Sequence, residues 1–465
     1  MEKRQMKEQW DLIIKAGTIV NSSGSIRADL AVKKGKIAAI GYFEHMENVK
    51  SIDANGKLVL PGLIDAHAHI QTGVGEAKSK DNYLNGSIAA AYGGTTSFID
   101  FAFNNEGEKP KNSMERKLRE AAGNSILDFS FHPCINQLDT ESLEDIRYYL
   151  RNGFPSVKLF TVYRNSLMLE KKGIYEVLKI VAEENGISLI HAEEADIIER
   201  NISDAIESGK TLPKNHAESR PVISEIEAMY GILAMSAETK APVIFAHMTT
   251  GASRALLERR DGAKLFAEAC PHYLVLDERV YEQEDGYNYI CSPPIRSASD
   301  REKLWQLIKD GYVQMINSDH TDYSSEQKKK YCNYFPKIPN GLPTIETRGM
   351  VFFSEAVMKR RMPVERFVAL TSANAAKLMG LYPRKGVLQP GSDADIIIVD
   401  PDRKYIMRAS DMHMQTDFCP YEGIQMRGKV EYTIAGGDIL IENGIYTGKA
   451  HTGKLLKRGK PILDL

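Results

Sequence analysis

Between residues 63 and 320 the chain repeats one unit eight times: a short apolar run, a polar turn and, in most repeats, an amphipathic stretch of helical period. The runs are LIDAHAHI (63–70), TTSFIDFA (95–102), DFSFHPCI (128–135), SVKLFT (156–161), SLIHAE (188–193), PVIFAHM (242–248), LFAEACP (265–271) and QMINSDH (314–320). Segments such as NGSIAAAYGG (85–94), LEDIRYYLRNG (143–153), IYEVLKIVAEENG (174–186) and VISEIEAMYGILAMSAE (222–238) separate them. Several of these end in glycine, the residue best suited to close a helix. Eight strand–helix units in a span near the roughly 250 residues usual for such a fold predict a parallel (β/α)8 TIM barrel over residues 61–384. A doubly wound open sheet is the rival, and no GxGxxG opens the first unit.

The two ends of the chain read differently. Residues 1–60 and 385–445 carry short β-like runs punctuated by Gly, Asp, Asn and Pro, as in WDLIIKAGTIV and GKVEYTIAGGDILIENG. They predict a small β-sandwich domain assembled from both termini. A length of 465 residues, beyond one ordinary core, agrees with a large domain plus a small one. The basic tail, residues 446–465, is expected to be either solvated or an arm packed on a neighbouring subunit. With 60 basic against 62 acidic side chains the net charge is −2, which gives no electrostatic case for nucleic acid or an anionic membrane. No apolar run is long enough to span a bilayer, and MEKRQMKEQWDLIIKAG lacks the apolar stretch of a secretory signal. The five cysteines are scattered without CxxC spacing, which points to reduced thiols and a cytoplasmic setting and away from a zinc–thiolate site.

In such a barrel chemistry sits where the strands end. The ends here present His67 and His69 on strand one, Lys158 on strand four, His191 on strand five, His247 on strand six and Asp319 on strand eight. Two histidines two residues apart share one strand face. A single strand histidine is ordinarily a satisfied core residue; ligand-type side chains at one rim from five strands are a metal site of imidazole and carboxylate. Lys158 is the anomaly, an ammonium among apolar residues, where burial or neighbouring cations would remove its proton. The neutral amine can add CO2, and the resulting carbamate can bridge two ions about 3.5–4 Å apart. His272 and His320 lie just past strand ends. His320 is expected to face away from the site and His272 to line the cleft, both in supporting roles.

These residues resemble the amidohydrolase superfamily, and more narrowly the dihydropyrimidinase and hydantoinase group of cyclic amidases, over nearly the whole chain. PGLIDAHAHI, VKLF, IHAEE, FAHMTT and NSDH carry the ligand pattern, and EACPHYLVLDE, CSPPIR and KIPNGLPTIETR the more specific signals. The resemblance implies one ion held by His67, His69 and Asp319, a second by His191 and His247, and carboxylated Lys158 between them. It implies zinc, with manganese or cobalt as alternatives, and hydrolysis of a ring C–N bond in a dihydropyrimidine or hydantoin. Asp319 would carry the proton, Tyr163 would hydrogen-bond the developing oxyanion, and main-chain groups at Ser292 and Asn340 would hold the cyclic imide. A homotetramer or homodimer is implied as well. Gln71 stands where a dihydroorotase has an arginine, and an allantoinase-type enzyme typically lacks the tyrosine at 163. A mononuclear deaminase on the same barrel has no need of Lys158. A non-catalytic dihydropyrimidinase-related assembly protein would lack metal ligands that are all present here. IQTGVGEAKSKDN and FAFNNEGEKP depart from the loops usual in hydantoinases, and both are expected to overhang the cleft.

Overall fold

The computed structural model describes residues 10–43, 49–105, 107–449 and 452–465. Most of the segment tested for a secretory signal lies outside these residues. Eight parallel strands form the barrel: β1 (Leu63–Ala68), β2 (Thr95–Ala102), β3 (Asp128–Pro133), β4 (Ser156–Phe160), β5 (Ile187–His191), β6 (Val243–Phe245), β7 (Leu265–Ala269) and β8 (Met315–Ile316). β1 to β3 pair in order, as do β4 to β8. Bridges between Cys134 and Lys158 and between Ala68 and His320 close the ring. Nearly every barrel-strand residue is buried, including both faces of β1 and β2, as expected where helices cover a parallel sheet.

The strands that feed the site are shorter than their apolar runs. β6 stops at Phe245 and β8 at Ile316, before His247 and Asp319. Both later residues take left-handed backbone, φ 36° and 49°, so the chain leaves the ladder as it delivers each side chain. The helices follow their periodicity. Asp139 caps Thr140–Arg151 by accepting from the Ser142 N–H at 2.8 Å, and Lys171–Glu183 buries Ile174, Val177, Leu178 and Val181. The second helix is closed by Asn185 at φ 54°, not by Gly186. Gly186 is needed for space, because a Cβ there would lie 2.9 Å from the Pro155 carbonyl oxygen.

Both termini build one nine-stranded sheet. Leu58–Pro61 is its seam, parallel to Leu12–Asn21 and antiparallel to Ile396–Ile406, and it runs straight into β1. The described part of the tail departs from the expectation of a solvated segment. Leu456 is buried, and its N–H donates to the Phe129 carbonyl at 2.7 Å. Arg458 is buried as well and donates to Ser130 Oγ (3.0 Å) and the Phe131 carbonyl (2.8 Å) on β3 of its own barrel. The tail supplies a cation to one carbonyl and one hydroxyl at the barrel's edge. Burial lowers this guanidinium to about 9.

Candidate metal centre and active site

The end of β8 is fastened to β1 by side chains. Asn317 Oδ1 accepts from the Ala66 N–H (3.0 Å), Ser318 Oγ donates to the His67 carbonyl (3.1 Å), and the Asp319 N–H donates to the same carbonyl (2.9 Å). This clasp sets Asp319 Oδ1 3.1 Å from Nε2 of both His67 and His69. The His67 ring centre is 5.1 Å from that of His69 and 5.4 Å from that of His247, and His191 lies 4.5 Å from His247. The four histidines and Asp319 therefore share one rim, as their strand-end positions required. Lys158 is buried beside them, with Nζ 4.9 Å from the ring centres of Phe101 and Phe160. Among the described residues no carboxylate pairs with that nitrogen.

The electrostatics suit cations. Burial keeps His69, His191 and His247 neutral by lowering their pKa, with Lys158 adding to the effect at His191. Burial also lowers Lys158, against the pull of Glu268 and Asp319. Burial opposes ionisation of Asp319, yet His67 and His69 hold it well below the usual carboxylate range. His67 Nε2 and His247 Nδ1 are buried without a hydrogen-bond partner. Burial opposes the charge on His67 too, yet Glu268 and Asp319 raise its pKa overall. Three neutral imidazoles, His67 and an ionised carboxylate form a donor set that fits a first-row divalent ion.

Sequence reasoning missed the carboxylates behind the histidines. Glu268, on β7, accepts from His67 Nδ1, from the His247 N–H (3.0 Å) and from Asn317 Nδ2 (2.6 Å). Glu193 Oε2 lies 2.6 Å from His191 Nε2. Each fixes the tautomer of an imidazole, as outer partners of metal ligands commonly do. The only hint was an acid in an otherwise apolar run, LFAEA, and a second two residues after His191, in HAE.

The expected substrate-side residues also converge. Tyr163 takes φ 70°, and its carbonyl accepts from the N–H groups of Ser166, Leu167 and Met168 at 3.0–3.1 Å. Its ring lies edge-on to that of His191, 5.4 Å between centres, and elsewhere on the substrate side Ser292 Oγ donates to Asn340 Oδ1 at 2.8 Å. Burial raises the Tyr163 phenol, while the buried Arg220, 5.4 Å from its ring centre, draws it down. Arg220 in turn lies 3.2 Å from Glu193. Gly341, at φ 139°, leaves no room for a side chain, since a Cβ would lie 2.4 Å from that of Thr321. His272 is buried near Asp319 and Cys270, whereas His320 is buried toward Asp81 and Asp322.

Comparisons with known proteins agree with this arrangement. The amidohydrolase family profile matches residues 58–440. A D-phenylhydantoinase of Escherichia coli O1:K1 is 35% identical over 458 residues, covering 97% of this chain and 99% of the relative. The crystal structure of a dihydropyrimidinase from Brevibacillus agri NCHU1002 superposes with a TM-score of 0.94 at 34% identity, covering 97% of this chain and 99% of that one. An L-hydantoinase (dihydropyrimidinase) from Arthrobacter aurescens gives 0.90 at 27% identity, covering 97% and 100%. With the barrel, the rim of histidines and a match spanning most of its length, the chain belongs to the amidohydrolase family.

Proposed function

We propose that this protein is a metal-dependent cyclic amidohydrolase that opens the C–N bond of a hydantoin or dihydropyrimidine to an N-carbamoyl amino acid. The observation that carries the reading is the convergence of four histidines, three of them buried, with an ionised aspartate and a depressed lysine at one barrel mouth, in a chain 35% identical to a D-phenylhydantoinase. His67, His69 and Asp319 would hold one divalent ion, His191 and His247 a second, and Lys158, as N6-carboxylysine, would join the two. Zinc fits the nitrogen and oxygen donors, as do manganese and cobalt. Such ions, when bound, polarise a ring carbonyl and make water acidic enough to react near neutral pH.

The chain's own groups supply the rest. Asp319, held ionised by His67 and His69, accepts the proton of the attacking water and returns it to the departing ring nitrogen. Tyr163 stays a phenol, so its O–H donates to the oxygen that gains charge in the transition state. Main-chain groups at Ser292 and Asn340 hold the planar imide, and the hydrogen bond between their side chains sets the two segments in register. The complete ligand set argues against a non-catalytic assembly protein, and Tyr163 against an allantoinase-type enzyme. We further propose a homotetramer or homodimer acting on small cyclic amides. The test is turnover of hydantoin, 5-phenylhydantoin, dihydrouracil and allantoin with added divalent metal and bicarbonate. Ring opening of a hydantoin or dihydrouracil is expected; metal-replete protein that opens neither would refute the proposal.

A further inference from the structure

Four of the described lysines are buried, and hydrolysis as read above uses one of them, Lys158. Lys117 has Asp100 3.7 Å away, and Lys385 has Asp128 at 2.8 Å. Lys328 has no such company. It is fully buried on the short helix Ser325–Lys329, no carboxylate among the described residues pairs with it, and its Nζ donates to the Ile290 carbonyl at 2.9 Å. Burial pushes this ammonium down to about 7, with Cys291 pulling the other way. A methionine of similar length would fill the same space without a polar group to bury.

What Lys328 holds is the segment leading into Ser292. The Ile290 carbonyl also accepts from the Gly341 N–H at 3.0 Å, so one oxygen ties this segment to the one carrying Asn340. The next carbonyl, of Cys291, accepts from Nε2 of His216 at 2.8 Å. His216 is buried as well, edge-on to Tyr281 and Phe335, and burial lowers it to about 3, so its ring stays neutral with the proton on Nε2. Beyond these two anchored carbonyls the pattern stops. Among the described residues no hydrogen bond reaches the main-chain N–H or carbonyl of Ser292, nor those of Asn340. Half-buried main chain with unused donors and acceptors, set directly beside anchored carbonyls, is free to face a ligand.

We propose that Lys328 and His216 are positioning residues: by holding the Ile290 and Cys291 carbonyls they aim the main chain of Ser292, and through Gly341 that of Asn340, at the bound ring. The inference rests on the reading that these main-chain groups hold the cyclic imide. Neither side chain touches the substrate. Without its anchor the Ile290 peptide can turn, and the groups beside it meet the ring less well. The proton-carrying Asp319 and the phenol of Tyr163 are untouched by that turn. The loss therefore falls on binding shared by ground state and transition state, which raises KM and leaves kcat in place.

The test combines steady-state kinetics on hydantoin and dihydrouracil, metal analysis, and hydrogen–deuterium exchange of peptides covering residues 286–295 and 338–343 in metal-loaded protein. Lys328→Met should raise KM about 5-fold or more, with kcat within about 2-fold and metal content unchanged. It should also speed exchange in both peptides. His216→Gln, whose side-chain amide reaches where Nε2 stood, should keep KM near wild type, whereas His216→Leu should raise it. Lys329→Met, at the exposed neighbouring position, should change nothing. An unchanged KM in Lys328→Met would overturn the inference, as would a loss that follows bound metal or a fall in kcat with KM held. His216→Gln behaving no better than His216→Leu would overturn it too, and that pair decides alone if Lys328→Met does not fold. If the wild-type protein opens no cyclic amide, the proposed function fails, and exchange still reads the anchor: wild-type protection in Lys328→Met would overturn it without any turnover.

Discussion

Replacing Glu268 with glutamine changes one atom at the point where three parts of the site meet. One carboxylate oxygen accepts from His67 Nδ1 and the His247 N–H, and the other from Asn317 Nδ2. A glutamine can keep its oxygen toward His67 and His247, but its NH2 then faces the Asn317 NH2. Asn317 cannot simply turn over, because its Oδ1 accepts from the Ala66 N–H at 3.0 Å. Two buried donors, Asn317 Nδ2 and the new amide NH2, then lack an acceptor, at a cost of about 1–3 kcal/mol each. The charge that makes His67 a stronger ligand is also lost, which should weaken metal binding by about 10–100-fold, or roughly 1.4–2.7 kcal/mol. Two assays separate the effects: urea unfolding of metal-free protein reads the first, and competition with a chelator followed by elemental analysis reads the second. If Glu268→Gln unfolds at the wild-type midpoint and holds metal as tightly, Glu268 neither supports His67 nor organises the rim.

Tyr163→Phe removes the phenol proposed to donate to the reacting carbonyl and should lower kcat about 10²–10³-fold with a smaller change in KM, read by steady-state kinetics. Arg458→Met leaves the Phe131 carbonyl without its donor inside the tail–barrel contact and should destabilise the protein by about 1–3 kcal/mol in urea unfolding, with metal content unchanged. Burial and the neighbouring Asp322 carboxylate raise Asp81 to about 7, and burial raises Asp322 to about 6. The folded state therefore holds protons that the unfolded chain releases near its ordinary carboxylate pKa. The stability this pair contributes is present at acid pH and lost as pH rises from about 4 to about 7. Asp81→Asn should flatten that fall between urea midpoints measured at pH 5 and pH 8; an unchanged slope would contradict it.

The barrel and the gathering of the proposed ligands at one rim were legible because strand period and strand ends are local properties of sequence. His67, His69, His191 and His247 stand where apolar runs give way to turns, and the register of a parallel barrel brings those points together. The carboxylates behind them were not legible. Glu268 matters through His67 on another strand, 201 positions away, and spacing says nothing about that. Glu193 stands two residues from His191, but nothing local shows that its carboxylate turns back onto the ring. The same holds for Arg220, whose contacts with Tyr163 and Glu193 come from a separate helical segment. Helix ends were read from glycine alone, which missed Asn185 and Lys240 in left-handed conformation. The tail was judged by its charge, whereas two residues, Leu456 and Arg458, decide where it packs.

Lys158 is the residue on which the proposed mechanism most depends, and its side-chain tip can be examined directly. Crystals of protein grown with divalent metal and bicarbonate, phased on the anomalous signal of the metal, would display both the ions and the atoms beyond Nζ. The account predicts two ions at the rim, with a planar carboxylate group attached to Nζ and an oxygen directed to each. Two bound ions beside a bare amine would contradict it, as would an actively hydrolysing preparation with none.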